Sequence, residues 1–248
     1  MLNALYSLWF WGVLLTALLL FGLPAIALTA LAPEAGFRFV RAVSAFVLKI
    51  VGMPVRLVGH EAVDWTRSYV VMGNHQSMID AFSILGAFPR RPLCLEKIEL
   101  QKLPIYGALS RAWGNIAIRR EDREHALAGV EAARAKLQEG FCIGVMPEGT
   151  RTTSGRIGAF KKGGFHMALG AGADILPFTI NGAYGRLTRG GWRVHPGAIE
   201  IVFGEVVPTA GLAKDDLDAL VERVRGIVLS HYAGPKDDEL AAAPAPVA

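Results

Sequence analysis

By its pattern of apolar and polar positions the chain falls into three stretches. Residues 1–33 carry no charged side chain, and Leu5 to Leu23 alone would extend about 28 Å as a helix, close to the thickness of a bilayer's hydrocarbon core. That length predicts a segment in or on a membrane. Pro24 leaves a kinked span, a short re-entrant hairpin, or one helix followed by another. A secretory signal peptide fits less well, because the positive n-region is missing and the apolar run is too long. Next, FRFVRAVSAFVLKIVG at 37–52 breaks its apolar residues with Arg38, Arg41 and Lys49, the pattern of a basic interfacial helix. These cations place the rest of the chain on the cytoplasmic side of the inner (cytoplasmic) membrane, whether the first stretch spans the bilayer or only enters it.

From Pro54 onward, short apolar runs alternate with helical periods. Strands are predicted at 54–58, 69–73, 115–118, 141–146, 175–181 and 198–203. Helices are predicted near 78–87, 121–139, 160–171 and from 215. Such alternation predicts an α/β fold: a mixed, largely parallel sheet flanked by helices, preceded by the membrane-associated helical segment. The expected organisation is an anchoring segment at 1–53, an α/β domain at 54–234 and a disordered, Ala/Pro-rich tail at 235–248.

Composition narrows the partners. With 248 residues and 52% hydrophobic content, one large core is within reach. The net charge of +4 and a pI near 9.2 suit anionic partners, but 26 basic against 22 acidic residues make a poor case for nucleic acid. An anionic membrane surface or a phosphorylated substrate fits as well. Cys94 and Cys142 show neither Cys-x-x-Cys nor Cys/His spacing, so no disulfide framework and no metal site is expected, and a reducing compartment suits them.

Chemistry concentrates in two stretches. In VVMGNHQSMID, 70–80, a β-branched run delivers His75 to a loop and Asp80 to the first turn of the next helix. Ser77 and Asp80 have capping-box spacing, so Asp80 could serve the helix alone. Alternatively Asp80 orients the His75 imidazole and supports the charge it gains on removing a proton. The chain lacks a Gly-x-Ser-x-Gly elbow, and HEAVD at 60–64 is not His-Glu-x-x-His. A base at His75 would therefore act on a hydroxyl of the substrate. In GVMPEGTRTTSGRIGAFKKGG, 144–164, glycines accompany Glu148, Arg151, Arg156, Lys161 and Lys162, as a phosphate site needs, although an exposed solvated loop has the same composition. The Lys-Ser/Thr of a Walker loop is missing. Lys97 in LCLEKIEL and Arg119 with Arg120 in GNIAIRR add further cations.

In this order the segments resemble the glycerophospholipid acyltransferase family, the relatives of 1-acyl-sn-glycerol-3-phosphate acyltransferase. NHQSMID matches its His-x4-Asp motif, EKIEL its Lys-x-Glu-Leu block, MPEGTR its Phe-Pro-Glu-Gly-Thr-Arg motif and ILPFTI its fourth motif around Pro177. The resemblance implies that His75 deprotonates the free hydroxyl of a lysophospholipid, here 1-acyl-glycerol-3-phosphate. That hydroxyl attacks the thioester of acyl-coenzyme A or acyl-carrier protein and gives phosphatidic acid. It further implies that Asp80 orients His75, that Lys97 and Arg151, with Arg120 in support, hold the acceptor phosphate, and that Glu148 and Gly149 line its glycerol end. No cofactor is implied beyond the acyl co-substrate. Two departures, Arg119-Arg120 where Asp-Arg is usual and Met146 where Phe is usual, leave the head group open, with lyso-ornithine lipid among the alternatives. A membrane-anchored lipid-binding or transfer protein would need the cationic loop but not an oriented base. A hydrolase would use the same residues with water as the nucleophile.

Overall fold

The computed structural model describes residues 2–119 and 122–235. Arg120 and, apart from Pro235, the expected tail lie outside the described residues.

The uncharged stretch forms one helix, α1 (Leu2–Leu31), which continues through Pro24 and is followed by α2 (Pro33–Ile50). The two run antiparallel. The Tyr6 hydroxyl donates to the Val51 carbonyl, Phe21 meets Phe39 with ring centroids 6.1 Å apart, and Gly36 lies flat against the Thr29 backbone, where no Cβ would fit. α2 buries Gly36, Phe37, Val40, Ser44, Val47 and Leu48, a single face at helical spacing; Arg38 and Lys49 are exposed, while the partly buried Arg41 donates to the Ala87 carbonyl (3.4 Å). The inward residues of α1 are Ser7, Phe10, Gly22, Ala25 and Thr29, mostly small. Its outward leucines, Leu2, Leu5, Leu8, Leu19, Leu20 and Leu23, are 61–83% exposed.

The α/β domain is built on a seven-stranded sheet of β1 (Val55–Val58), β2 (Val70–Gly73), β3 (Pro92–Lys97), β4 (Ile116–Ile118), β5 (Cys142–Val145), β6 (Ile175–Asn181) and β7 (Ile199–Phe203). The spatial order is β1-β7-β6-β2-β5-β3-β4, and every pairing is parallel except β6 with β7. The helices are α3 (Ile79–Ala87), α4 (Pro104–Trp113), α5 (Arg123–Gln138), α6 (Gly163–Ala171) and α7 (Leu217–Ser230). β2 is central and wholly buried. Val70 and Met72 join one core with Phe165, Ala168 and Val224, while Val71 joins the other with Ile79, Phe88 and Phe178, as the period of two requires of a strand covered on both sides.

Two elements, β3 and α4, are absent from the sequence expectation. β3 carries the charged Glu96 at an inward position, where it accepts hydrogen bonds from Tyr106 Oη (2.7 Å) and Ser110 Oγ, so the run does not read as a buried strand. α4 buries Gly107, Ser110 and Trp113, too polar a set for an apolar period, and its start at Pro104 and stop at Gly114 in the left-handed region are its clearer signals. α5 begins at Arg123, two residues later than expected, because the Asp122 side chain caps it by accepting the His125 N–H (3.0 Å).

Candidate active site

Strand register gathers the candidate residues at one edge of the sheet. Val71 pairs with Gly144 and Gly144 with Cys94; three residues on, Asn74 and Pro147, just beyond the C-terminal ends of β2 and β5, stand level with Lys97, the last residue of β3. This is the edge at which parallel α/β sheets present their loops to ligands. The segment after β6 emerges at the same edge because β6 runs parallel to β2.

His75 stands at the mouth of this edge, with its side chain 27% exposed, and Asp80 is fully buried beneath it. His75 Nδ1 lies 2.8 Å from Asp80 Oδ2, which also accepts the backbone N–H groups of Gln76 (2.7 Å) and Ser77 (2.9 Å). An oxygen already committed as acceptor to two amides requires a donor from the imidazole. The proton therefore sits on Nδ1, and Nε2 presents a lone pair, the tautomer a general base needs. Both readings of Ser-x-x-Asp hold in part. The Asp80 carboxylate accepts the Ser77 N–H as a capping box demands, whereas the Ser77 hydroxyl accepts from Ile79 N (3.2 Å) and donates to the Leu187 carbonyl (2.7 Å). Asn74 fixes the loop from behind by bonding across to Ile180, its amide donating to the carbonyl (2.9 Å) and its oxygen accepting the N–H (2.7 Å).

Glu148 ties the two signature loops together. One carboxylate oxygen accepts the His75 N–H and the other the Gly158 N–H, both at 2.7 Å, and Thr152 N donates back to the His75 carbonyl (2.9 Å). Burial pushes this carboxyl above its ordinary value, while the two backbone N–H groups and the neighbouring imidazole draw it back. The turn that aims Glu148 inward closes through Gly149 N to Met146 O (2.9 Å), and Gly149 adopts φ +73°, a conformation costly for any residue with a Cβ. Lys161 Nζ lies across Gly149, 2.9 Å from where a Cβ would stand.

Among the expected phosphate ligands, Lys97 is the exposed last residue of β3. Its strand end is held to α4 by the hydrogen bonds that the hydroxyls of Tyr106 and Ser110 donate to the buried Glu96. Arg151, on the loop after β5, is partly buried and enters no ion pair among the described residues. Cys94 and Cys142 are free thiols.

The structure adds residues that no motif indicates. Tyr232, just past α7, spans both signature loops through its hydroxyl, which donates to the Gly155 carbonyl and is bonded to the Gln76 side-chain amide (2.9 Å). Asn181 locks that chain end in place, donating to the His231 carbonyl and accepting from Ala233 N, both at 3.0 Å. A lone tyrosine near the end of a chain gives no sequence signal of this role, since only folding brings it to residues 76 and 155.

An oriented imidazole thus stands beside a cation-bearing loop at the C-terminal edge of a mixed sheet. The model of the acyltransferase family matches residues 54–181. The chain belongs to this family. It is 31% identical over 182 residues to the human 1-acyl-sn-glycerol-3-phosphate acyltransferase alpha, covering 73% of this chain and 64% of that protein. To the 1-acyl-sn-glycerol-3-phosphate acyltransferase of Cocos nucifera it is 27% identical over 183 residues, covering 73% and 59%. It thus spans about six tenths of the length of these relatives. The crystal structure of the 1-acyl-sn-glycerophosphate acyltransferase PlsC from Thermotoga maritima superposes with a TM-score of 0.77 at 26% identity over 98% of each chain.

Proposed function

We propose that the protein transfers a fatty acyl group from acyl-coenzyme A or acyl-carrier protein to the free hydroxyl of 1-acyl-glycerol-3-phosphate, forming phosphatidic acid at the membrane. The observation that carries this reading is the His75–Asp80 pair. Its geometry exposes a basic Nε2 at the mouth of a cationic edge while no serine or cysteine nucleophile is bonded to the imidazole among the described residues.

Nε2 takes the proton of the acceptor hydroxyl as its oxygen attacks the thioester carbonyl. Asp80 supports the imidazolium so formed. Collapse of the tetrahedral intermediate breaks the carbon–sulfur bond, and the departing thiolate takes the proton from His75, so the base is regenerated without a covalent acyl-enzyme. Lys97 and Arg151 hold the acceptor phosphate through charge-assisted hydrogen bonds, with Arg120 assigned the same role from its motif position and Gly149 lining the glycerol end. Glu148, its oxygens engaged by His75 and Gly158, acts by holding the base in place. The uncovered leucines of α1 enter the bilayer from the cytoplasmic side, where both acyl substrates partition.

The test is thiol release from oleoyl-coenzyme A by detergent-solubilised protein with lysophosphatidate, lyso-ornithine lipid or no acceptor, the lipid product being identified by mass. Phosphatidate formed with lysophosphatidate alone is expected. Release without acceptor overturns the reading in favour of hydrolysis, and product from lyso-ornithine lipid alone reassigns the acceptor.

A further inference from the structure

The segment after β6, residues 186–195, reads RLTRGGWRVH, and no acidic residue occurs between Asp174 and Glu200. It forms no strand or helix, yet it is fastened at both ends of its course. At its start the Leu187 carbonyl accepts the Ser77 hydroxyl of the catalytic loop (2.7 Å), and Arg189 Nη1 donates to the Arg151 carbonyl (3.4 Å). Toward its end it grips the first turns of α1, with Trp11 Nε1 donating to the Trp192 carbonyl and Val194 N donating to Ser7 Oγ, both at 2.9 Å. These bonds use the backbone of Trp192 and Val194. The indole of Trp192, 50% exposed, and the exposed Arg193 take no part in these bonds, and Arg193 lines a surface hollow with Leu2, Asn3 and Ala4 of α1.

α1 itself crosses the active-site edge. From Ser7, bonded to the segment after β6, to Gly22, packed on Ile105 at the start of α4, is about 22 Å of helix. That matches the roughly 19 Å between β7 and β3 across four strand spacings. The 186–195 segment therefore lies where the apolar surface of α1 meets the polar edge that holds His75. A half-exposed tryptophan flanked by arginines at such a border is suited to the headgroup layer of an anionic bilayer, the ring at the acyl boundary and the guanidinium groups on phosphates.

We infer that residues 186–195 form a second membrane contact, selective for anionic phospholipid headgroups through Arg193 and Trp192, which sets the height of the catalytic loop over the bilayer. The inference rests on the membrane-facing reading of α1 and does not require any particular acceptor. It is tested with the full-length double variant Trp192→Ala/Arg193→Glu on vesicles of phosphatidylcholine with and without phosphatidylglycerol. Affinity for the anionic vesicles should fall roughly tenfold and affinity for neutral vesicles less, while turnover in detergent micelles stays within about twofold of wild type. Unchanged affinity for anionic vesicles overturns the contact. An equal loss of turnover in micelles and on vesicles overturns it too, by showing that the segment only supports the fold. Vesicle binding is read without turnover, so an error in the proposed reaction would leave this result standing, and detergent turnover of the wild type tests that reaction separately.

Discussion

The outer side of α1 and the corner around His75 break the rule of apolar inside and polar outside in opposite senses. On α1, leucines up to 86% exposed cover the surface while Ser7 and Thr29 are buried. At the corner, Asn74, Gln76, Ser77, Asp80 and Ser83 are all buried at the heart of the sheet's edge. Exposed leucine is costly in water and favourable in lipid, so on the proposed function the first anomaly marks a surface that meets lipid. Buried polar groups are costly unless bonded, so the second describes a geometry worth holding: Asp80, Asn74 and Ser77 spend their hydrogen bonds on fixing one imidazole.

The largest effect should come from removing the group for which the corner exists. His75→Ala is expected to lower kcat by roughly 10²–10⁴-fold, the range of general-base assistance, with thermal stability nearly unchanged because Asp80 Oδ2 keeps the Gln76 and Ser77 N–H groups. Asp80→Asn should also lower kcat, because the Gln76 and Ser77 N–H groups hold its amide oxygen at the Oδ2 position, which keeps the tautomer but removes the negative charge that supports the imidazolium. Full turnover in either variant would detach this pair from the chemistry.

On the other side of the comparison, α1 should lose its membrane without losing its fold. Leu8→Gln, Leu19→Gln and Leu23→Gln alter outward side chains only, and membrane partition should fall roughly tenfold for each, given about 1.5–3 kcal/mol for a buried leucine. Deleting residues 1–33 would be a poorer probe, because it strips Phe10 and Ala25 from the core. A drop in melting temperature matching the drop in partition would mean that this face supports the protein rather than meeting lipid.

What could be read in the sequence divides along the same line. The long uncharged N-terminal helical stretch, six of the strands and the His75–Asp80 pair were legible because each is carried by local pattern: an uncharged run, β-branched runs, a fixed spacing in a loop. β3 was not, because the inward Glu96 that disguises it is satisfied by α4 residues 10 and 14 positions later. Nor was Tyr232, whose hydroxyl reaches Gln76 across 156 positions. Glu148 was legible as a site residue, but its part as a brace between His75 and Gly158 depends on long-range backbone contacts that spacing does not encode.

A smaller effect should follow at Glu148. In Glu148→Gln one of the two backbone N–H groups loses its acceptor and faces an amide N–H₂, so the His75 loop shifts; misplacement on the scale of an ångström is worth up to about 10²-fold in kcat. Its pH signature is distinct. Because burial raises the folded value above the ordinary 4.5, the stability linked to this group is fully present below the unfolded value and is lost as pH rises through the folded one. The variant lacks that step. Its melting temperature should change less than that of the wild type between pH 4.5 and neutrality, and an identical pH dependence in the two would remove Glu148 as the source.

The smallest effect separates a clamp from a bystander. Tyr232→Phe keeps the ring in the core beside α7 and removes only the hydroxyl that links Gln76 to Gly155. A neutral hydrogen bond contributes about 0.5–1.5 kcal/mol, so kcat should fall roughly three- to tenfold if that bond holds the two loops in register. The Michaelis constants of both substrates should change little, because neither cation is touched. If the hydroxyl were merely structural, the loss would appear in the melting temperature with kcat intact. The split between those two measurements decides whether the buried polar corner ends at Asp80 or extends through Gln76 to the end of α7.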